Sequence, residues 1–425
     1  MKLHKKKHLI SIIIFIFIGL SYFIFIKFEE EANKQKYKSE LYRKVYIVFN
    51  KFPDPIKSLI MIATGQRNYN NLANDYNVKF LPETEHIKLN LKKIKTSFSK
   101  KNGSTFFIET YDEFLIIASK KGEFYRVNLL DLKNDKIKNI DQKLEVRNLK
   151  ITQGSINDLL IVKDKIYVLK ATFYKDCNNL QIFFSDIKDT LNFKLFKSFD
   201  ECVGKGLVAG GMQYYKYKDQ DGLIISTSSP SVSPQSAAQD PNSILGKILF
   251  IDFKKKEKTM ISMGHRNPQG LASKDNIILS TEHGPKGGDE INKIIYGKNY
   301  GWPISSYGTP YKSEMKDIQD FKKSHKEFGF EEPIYVFLSS IGISELIFLP
   351  NTFSKKWKNS VLVSSLNGRS IYRINFLNSN YENILYKEQI LIGERIRDIS
   401  YNKKFNFIIM ALEDSGVVGL LSEKK

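Results

Sequence analysis

The sequence predicts an all-β chain, a six-bladed β-propeller, preceded by an N-terminal transmembrane helix and a short helical stalk. Three observations predict it. An uninterrupted apolar run opens the chain, charged residues with broken helical spacing follow, and from about residue 79 short strand-like runs recur in pairs. The divisions are 1–27 for the anchor, 28–78 for the stalk and 79–425 for the propeller.

The anchor rests on Leu9–Ile26, flanked by Lys2, Lys5, Lys6 and Lys7 before it and Lys27 after it. Such a run is about long enough to cross a bilayer as a helix. The basic flank stays cytoplasmic, so all that follows residue 27 is expected outside the cytoplasm, on the periplasmic face in a bacterium. A cleavable signal has a shorter apolar core and small residues at the cleavage point. Phe23-Ile24-Phe25-Ile26-Lys27 supplies neither, so the anchor is expected to be retained.

In the stalk, Leu41, Val45, Val48 and Phe49 share a helical face. Pro53 and Pro55 break it, and Ile56–Ala63 resumes it. The propeller follows from six pairs of β-branched or aromatic runs. They are Phe114–Ala118 with Phe124–Leu129, Ile166–Ala171 with Leu180–Ser185, and Leu223–Thr227 with Lys247–Phe253. The others are Ile277–Thr281 with Glu290–Ile295, Val361–Ser365 with Ser370–Ile374, and Phe407–Ala411 with Val417–Leu421. Upstream strands at Glu345–Phe348 and Arg397–Ser400 accompany the last two pairs.

Composition narrows the function classes. The net charge of +20 is carried mainly by lysines scattered along the chain, without nucleic-acid-binding signatures, and reads as a solvated surface. Cys177 and Cys202 lie in turn-like contexts in a compartment where disulfides survive, and either form a bridge or stay unpaired thiols.

The stretch Gly264–Pro303 stands apart. It concentrates Arg266, Asn267, Asp289 and Glu290 on a backbone shaped by seven glycines and three prolines, which is how a binding loop is built on a rigid scaffold. Its segments GHRNPQG, EHGPKGGDEIN and GKNYGWP, with RIRD at Arg395–Asp398, resemble the signature of the PQQ-dependent soluble aldose sugar dehydrogenase (glucose/sorbosone dehydrogenase) family. The resemblance implies a six-bladed propeller with PQQ in its central mouth, oxidising the anomeric hydroxyl of a sugar by hydride transfer to the quinone. It assigns Arg395 and Arg397 to the PQQ carboxylates, Asn267 to a hydrogen bond with the cofactor, and Arg266 to polarising the quinone oxygen. It assigns a calcium ion to the carbonyls of Gly284 and Pro285, the carboxylate of Glu290 and the backbone of Tyr300.

Three departures qualify the resemblance. The family's general-base histidine falls about twenty residues before the counterpart of Ser233, in the segment Leu207–Tyr215, which contains none. The six histidines are His4, His8, His86, His265, His283 and His325, so no shift of register recovers it. A cofactor-contacting lysine is replaced by Asn367, with Arg369 able to compensate only if the segment stays extended. A family aromatic is replaced by Phe337. Two readings remain: a tethered sugar dehydrogenase with Tyr214 or His283 as alternative base, or a non-catalytic propeller binding an anionic ligand or an envelope partner.

Overall fold

The computed structural model describes residues 82, 84–100, 105–151, 154–174, 177–199, 201, 210–229, 236–311 and 320–424. The expected anchor, stalk and Cys177–Cys202 bridge lie outside the residues or side chains described. Among the described residues, no helix is long and apolar enough to cross a membrane.

Six antiparallel blades succeed one another along the chain. Blade 1 is Phe106–Tyr111, Phe114–Ser119 and Phe124–Asn128, and blade 2 is Ser155–Val162, Lys165–Tyr174, Cys177–Asp186 and Lys194–Ser198. Blade 3 holds Met212–Tyr217, Gln220–Ser226, Lys247–Asp252 and Lys258–Met263. Blade 4 holds Pro268–Lys274, Ile277–Glu282, Asp289–Lys293 and Tyr335–Phe337. Blade 5 is Ile343–Phe348, Ser360–Ser365, Ser370–Phe376 and Ile384–Leu391. Blade 6 is Ile396–Asn402, Phe407–Leu412 and Val417–Glu423. The early strand Leu89–Thr96 completes blade 6, pairing in register with Val417–Glu423. The ring is thereby closed by both ends of the described chain, and an edge otherwise open to another chain is covered.

The six sequence pairs are the second and third strands of the six blades. Their continuous apolar character has a packing cause: six clusters of buried side chains fill the gaps between successive blades. Leu169 and Ile182 of blade 2 meet Leu223 and Ile251 of blade 3, and Leu279 of blade 4 meets Val363 and Ile374 of blade 5. Middle strands are covered on both faces, so they lose the polar alternation of a half-solvated strand.

The first strands differ. They surround the central channel, to which Glu109, Asp158, Gln213, Ala272, Glu345 and Asp398 each contribute from a different blade. Register shifts fall at Ile156/Asp158, Pro268/Leu271, Ile343/Leu346 and Ile396/Asp398, near the starts of the first strands of blades 2, 4, 5 and 6. A bulge inserts an extra residue and re-aims side chains. The residues at these shifts, including Asn157, Gln269, Ser344 and Arg397, line the channel mouth.

Candidate functional site

A cavity of about 360 Å³ occupies the mouth. Lys120, Asn267, Gln269, His283 and Arg397 contribute to its wall, and Asp158, Glu345 and Asp398 also border a second cavity of about 250 Å³ in the channel. The larger volume falls within the ~300–1,000 Å³ usual for small-molecule sites.

The wall is positioned by hydrogen bonds within and between blades. Asn267 is buried, and its Oδ1 accepts from the Ser228 hydroxyl at 2.8 Å and from Gln269 Nε2 at 3.1 Å, which fixes the amide's orientation. Arg397 donates through Nε and Nη2 to Glu413 Oε1 at 3.1 and 3.0 Å. Arg395 donates to the other oxygen of Glu413 at 3.1 Å and is not among the cavity's lining residues. Burial pushes the Glu413 carboxyl up, but Arg397, Thr105 and Arg395 outweigh it and hold the group below its ordinary range. One carboxylate therefore offsets part of the charge of both arginines.

His283 reaches the cavity from the end of blade 4's second strand. Its Nδ1 lies 3.9 Å from Asp289 Oδ1. Asp289 is fully buried and accepts from the Ser340 hydroxyl, the backbone N–H of Ile341 and Ile343, and Gly284 N–H. Burial raises its carboxyl, yet His283 and these donors more than offset it, leaving the group below its ordinary range. Tyr214, the other alternative base, donates its hydroxyl to Asp221 Oδ1 at 2.6 Å and lies outside the cavity wall.

The channel carboxyls carry the opposite balance. Burial pushes Glu109 up to about 8 and Asp398 up to about 6, and raises Asp158 and Glu345. Backbone donors oppose the rise: Asp398 accepts from Ile108 and Ile399, and Asp158 from Met212 and Leu159. Two of these bonds join adjacent blades, so the carboxyls also staple the ring.

Arg266 is not among the lining residues of the mouth cavity. Its Cζ lies 5.3 Å over the Trp302 ring, and Nη1 donates to the carbonyls of His283 at 3.1 Å and Gly284 at 2.9 Å. Gly284, Glu290 and Tyr300, three of the four expected calcium ligands, border one small pocket with Arg266 and His325. Pro285 is not in that lining, and its carbonyl accepts from the Tyr311 hydroxyl at 2.6 Å. The Tyr300 carbonyl accepts from His325 Nδ1 at 2.9 Å, and His325 Nε2 lies 3.6 Å from Glu290 Oε1. Every oxygen that a calcium ion would use thus faces a donor or an imidazole of the protein. Among the described residues, no group of three or more His, Cys, Asp or Glu is placed to hold a metal. These residues do not fit calcium as arranged.

Other expectations resolve simply. His265 is a packing residue, bonded to Ser262 and Glu282 and stacked 4.7 Å from Tyr300. Phe337 packs edge-on against Tyr372 in the blade 4–5 core. Asn367 is exposed on the turn between two strands. Arg369 adopts a left-handed φ of 49° in that turn and pairs with Asp414 at 2.8 Å, so it does not share a strand face with Asn367. Sequence reasoning missed Lys120, Gln269, Asp158 and Glu345.

Fold and site define a six-bladed propeller with a polar ligand cavity at one mouth of its channel, lined by donors at the start of blade 4 and at Arg397. The chain belongs to the Glucose / Sorbosone dehydrogenase family, whose sequence profile matches residues 108–419. The aldose sugar dehydrogenase YliI of Escherichia coli (strain K12) is 31% identical over 159 residues, 36% of this chain and 41% of that protein. The chain thus spans less than half the length of the curated relatives it matches at comparable identity. The apo soluble aldose sugar dehydrogenase of Escherichia coli superposes with a TM-score of 0.64, at 19% identity over 79% of this chain and 100% of that one. The PQQ-bound aldose sugar dehydrogenase of Streptomyces coelicolor gives 0.55, at 17% identity over 81% and 100%. Both structures are similar in fold.

Proposed function

We propose that the chain is a membrane-tethered quinoprotein-type dehydrogenase that holds PQQ in the mouth cavity and oxidises an aldose at its anomeric hydroxyl. One observation carries this reading: His283, backed by buried Asp289, shares the cavity wall with Asn267, Gln269 and Arg397. The donor set suits a ligand with several carboxylates. Arg397 is a charge-assisted donor, Lys120 from the neighbouring blade adds a second cation to the wall, and the amides of Asn267 and Gln269 supply neutral contacts. Burial raises the Asp158 and Glu345 carboxyls of the same wall, which favours their neutral forms and limits repulsion of an anion. When bound, PQQ supplies the hydride acceptor. The sugar hydroxyl's proton is left for a base, and His283 is the imidazole on the wall that can take it. Asp289 would orient that imidazole and stabilise it once protonated. The loop oxygens engaged by Arg266, Tyr311 and His325 leave calcium out of this reading.

The apolar Leu9–Ile26 run and its lysine flank support tethering, with the propeller outside the cytoplasm. A second reading, a propeller that binds an anionic ligand or envelope partner without turnover, is favoured by Glu413, which offsets charge on both arginines. The experiment is to titrate the purified full chain with PQQ, then assay dye reduction across a panel of aldoses. Saturable binding with turnover supports the dehydrogenase. Binding without turnover on any aldose selects the second reading, and absence of both removes PQQ from either.

A further inference from the structure

We infer that the protein's own side chains, Arg266 and His325, do the work of a cation in the loop that follows blade 4's second strand. The carbonyls of His283, Gly284 and Tyr300 converge with the Glu290 carboxyl around one small, largely buried pocket. Clustered buried oxygens need either a cation or hydrogen-bond donors. Here the donors are present. The Arg266 guanidinium spans the carbonyls of His283 and Gly284, and its Cζ lies over the Trp302 ring in a cation–π contact.

His325 is the more specific partner. A carbonyl can only accept, so the 2.9 Å contact with Tyr300 makes Nδ1 the protonated nitrogen and points Nε2 at the Glu290 carboxyl, 3.6 Å away. The ring is 2% exposed and stacks on Tyr307 with centroids 5.1 Å apart, so it is fixed rather than swinging into the gap. With Nδ1 protonated, the neutral ring turns the lone pair of Nε2 toward Glu290, so the imidazole donates to the Tyr300 carbonyl and fills the space beside the carboxyl without bonding to it. Two further facts keep an ion out. A guanidinium within hydrogen-bond reach of Gly284 would repel a divalent cation at that oxygen. Asn292 Nδ2 also donates to the second Glu290 oxygen at 3.2 Å.

The test uses the full chain and calcium alone. Thermal unfolding is followed with chelator and with added calcium, for wild type, His325→Ala and His325→Gln. Wild type is expected to keep one midpoint in all conditions. His325→Ala, with Glu290 and the Tyr300 carbonyl released, is expected to unfold several degrees lower and to regain part of that shift with calcium. His325→Gln retains a donor for Tyr300 and is expected to fall between them, which keeps the comparison intact should the alanine variant not fold. Calorimetric titration of wild type with calcium decides independently. One-to-one binding that Glu290→Gln abolishes overturns the inference, as does a chelator-induced fall in the wild-type midpoint. Binding that survives Glu290→Gln places the ion elsewhere and leaves the inference standing. None of these readouts depends on turnover, so their failure is separate from that of the dehydrogenase reading.

Discussion

Two polar regions meet along one strand of this molecule, and adjacent residues divide them. Asp289 faces the loop that carries His283 to the channel mouth, whereas Glu290 faces the small pocket it shares with Arg266 and His325. Both are buried, and strand alternation sends them to opposite sides. Asp289 is surrounded by N–H and O–H donors and stays below the ordinary carboxyl range. Glu290, with the Glu282 carboxylate near it, is raised well above. Burial is common to both, so the neighbours set the difference. The mouth presents donors around a cavity of ligand size, while the pocket has spent its donors on its own backbone. The same motif therefore feeds a site open to a ligand and a site closed by the protein.

The largest expected effect is at His283. Replacement by alanine should lower aldose turnover by ~10²–10⁴-fold, the usual worth of a general base. PQQ affinity should change little, because Asn267 and Arg397 remain. Steady-state kinetics beside a binding titration separate the two. Equal loss of binding and turnover would instead make His283 a cofactor contact. Asp289→Ala comes next. It strips the acceptor from Ser340, Ile341, Ile343 and Gly284 at once, and the orphaned donors should cost about 3–5 kcal/mol of stability. A denaturant midpoint unchanged within error would contradict the role given to this carboxylate.

Arg397→Ala tests the open side more gently. Losing one charge-assisted contact of ~1.5–3 kcal/mol predicts roughly ten- to a hundredfold weaker PQQ binding. Stability should hold, since Arg395 still pairs with Glu413. Arg395→Ala is the control, because that side chain lies off the cavity wall, and its effect on binding should be smaller.

How much of this was legible in the sequence depended on what each residue faces. Middle strands such as Lys247–Asp252 are buried throughout and read as plain apolar runs. First strands such as Met212–Tyr217 and Pro268–Lys274 mix polar and apolar residues, because one face lines the channel, and bulges break the alternation that would mark them. A signal did exist. Asn157-Asp158-Leu159, Ser344-Glu345-Leu346 and Arg397-Asp398-Ile399 repeat a polar, acidic, aliphatic triplet at equivalent places in three blades. Asn267 and Arg397 were readable from motif alone. The contact of Arg266 with Trp302 was not, nor was the His325 that meets Tyr300, which comes from a short 3-10 helix outside every motif.

The smallest expected effect concerns the channel and runs through pH. Burial raises Glu109 to about 8, backbone Thr110 opposes the rise, and the nearby Asp398 carboxyl adds to it. A free glutamate titrates near ~4.3. Its folded value is the higher one, so its full contribution to stability is present below about pH 4 and is lost as pH rises through about 8. Glu109 and Glu345 keep part of their surface toward the channel, so water there limits the penalty. Glu109→Gln keeps an oxygen for the Thr110 N–H and the Ser400 hydroxyl but cannot ionise. It should match wild type near pH 4 and exceed it by about 1–2 kcal/mol at about pH 8. Urea unfolding at the two values reads this directly. A gap that fails to open as pH rises would mean that the glutamate is ionised in the folded channel, and that the channel is far wetter than its carboxyls imply.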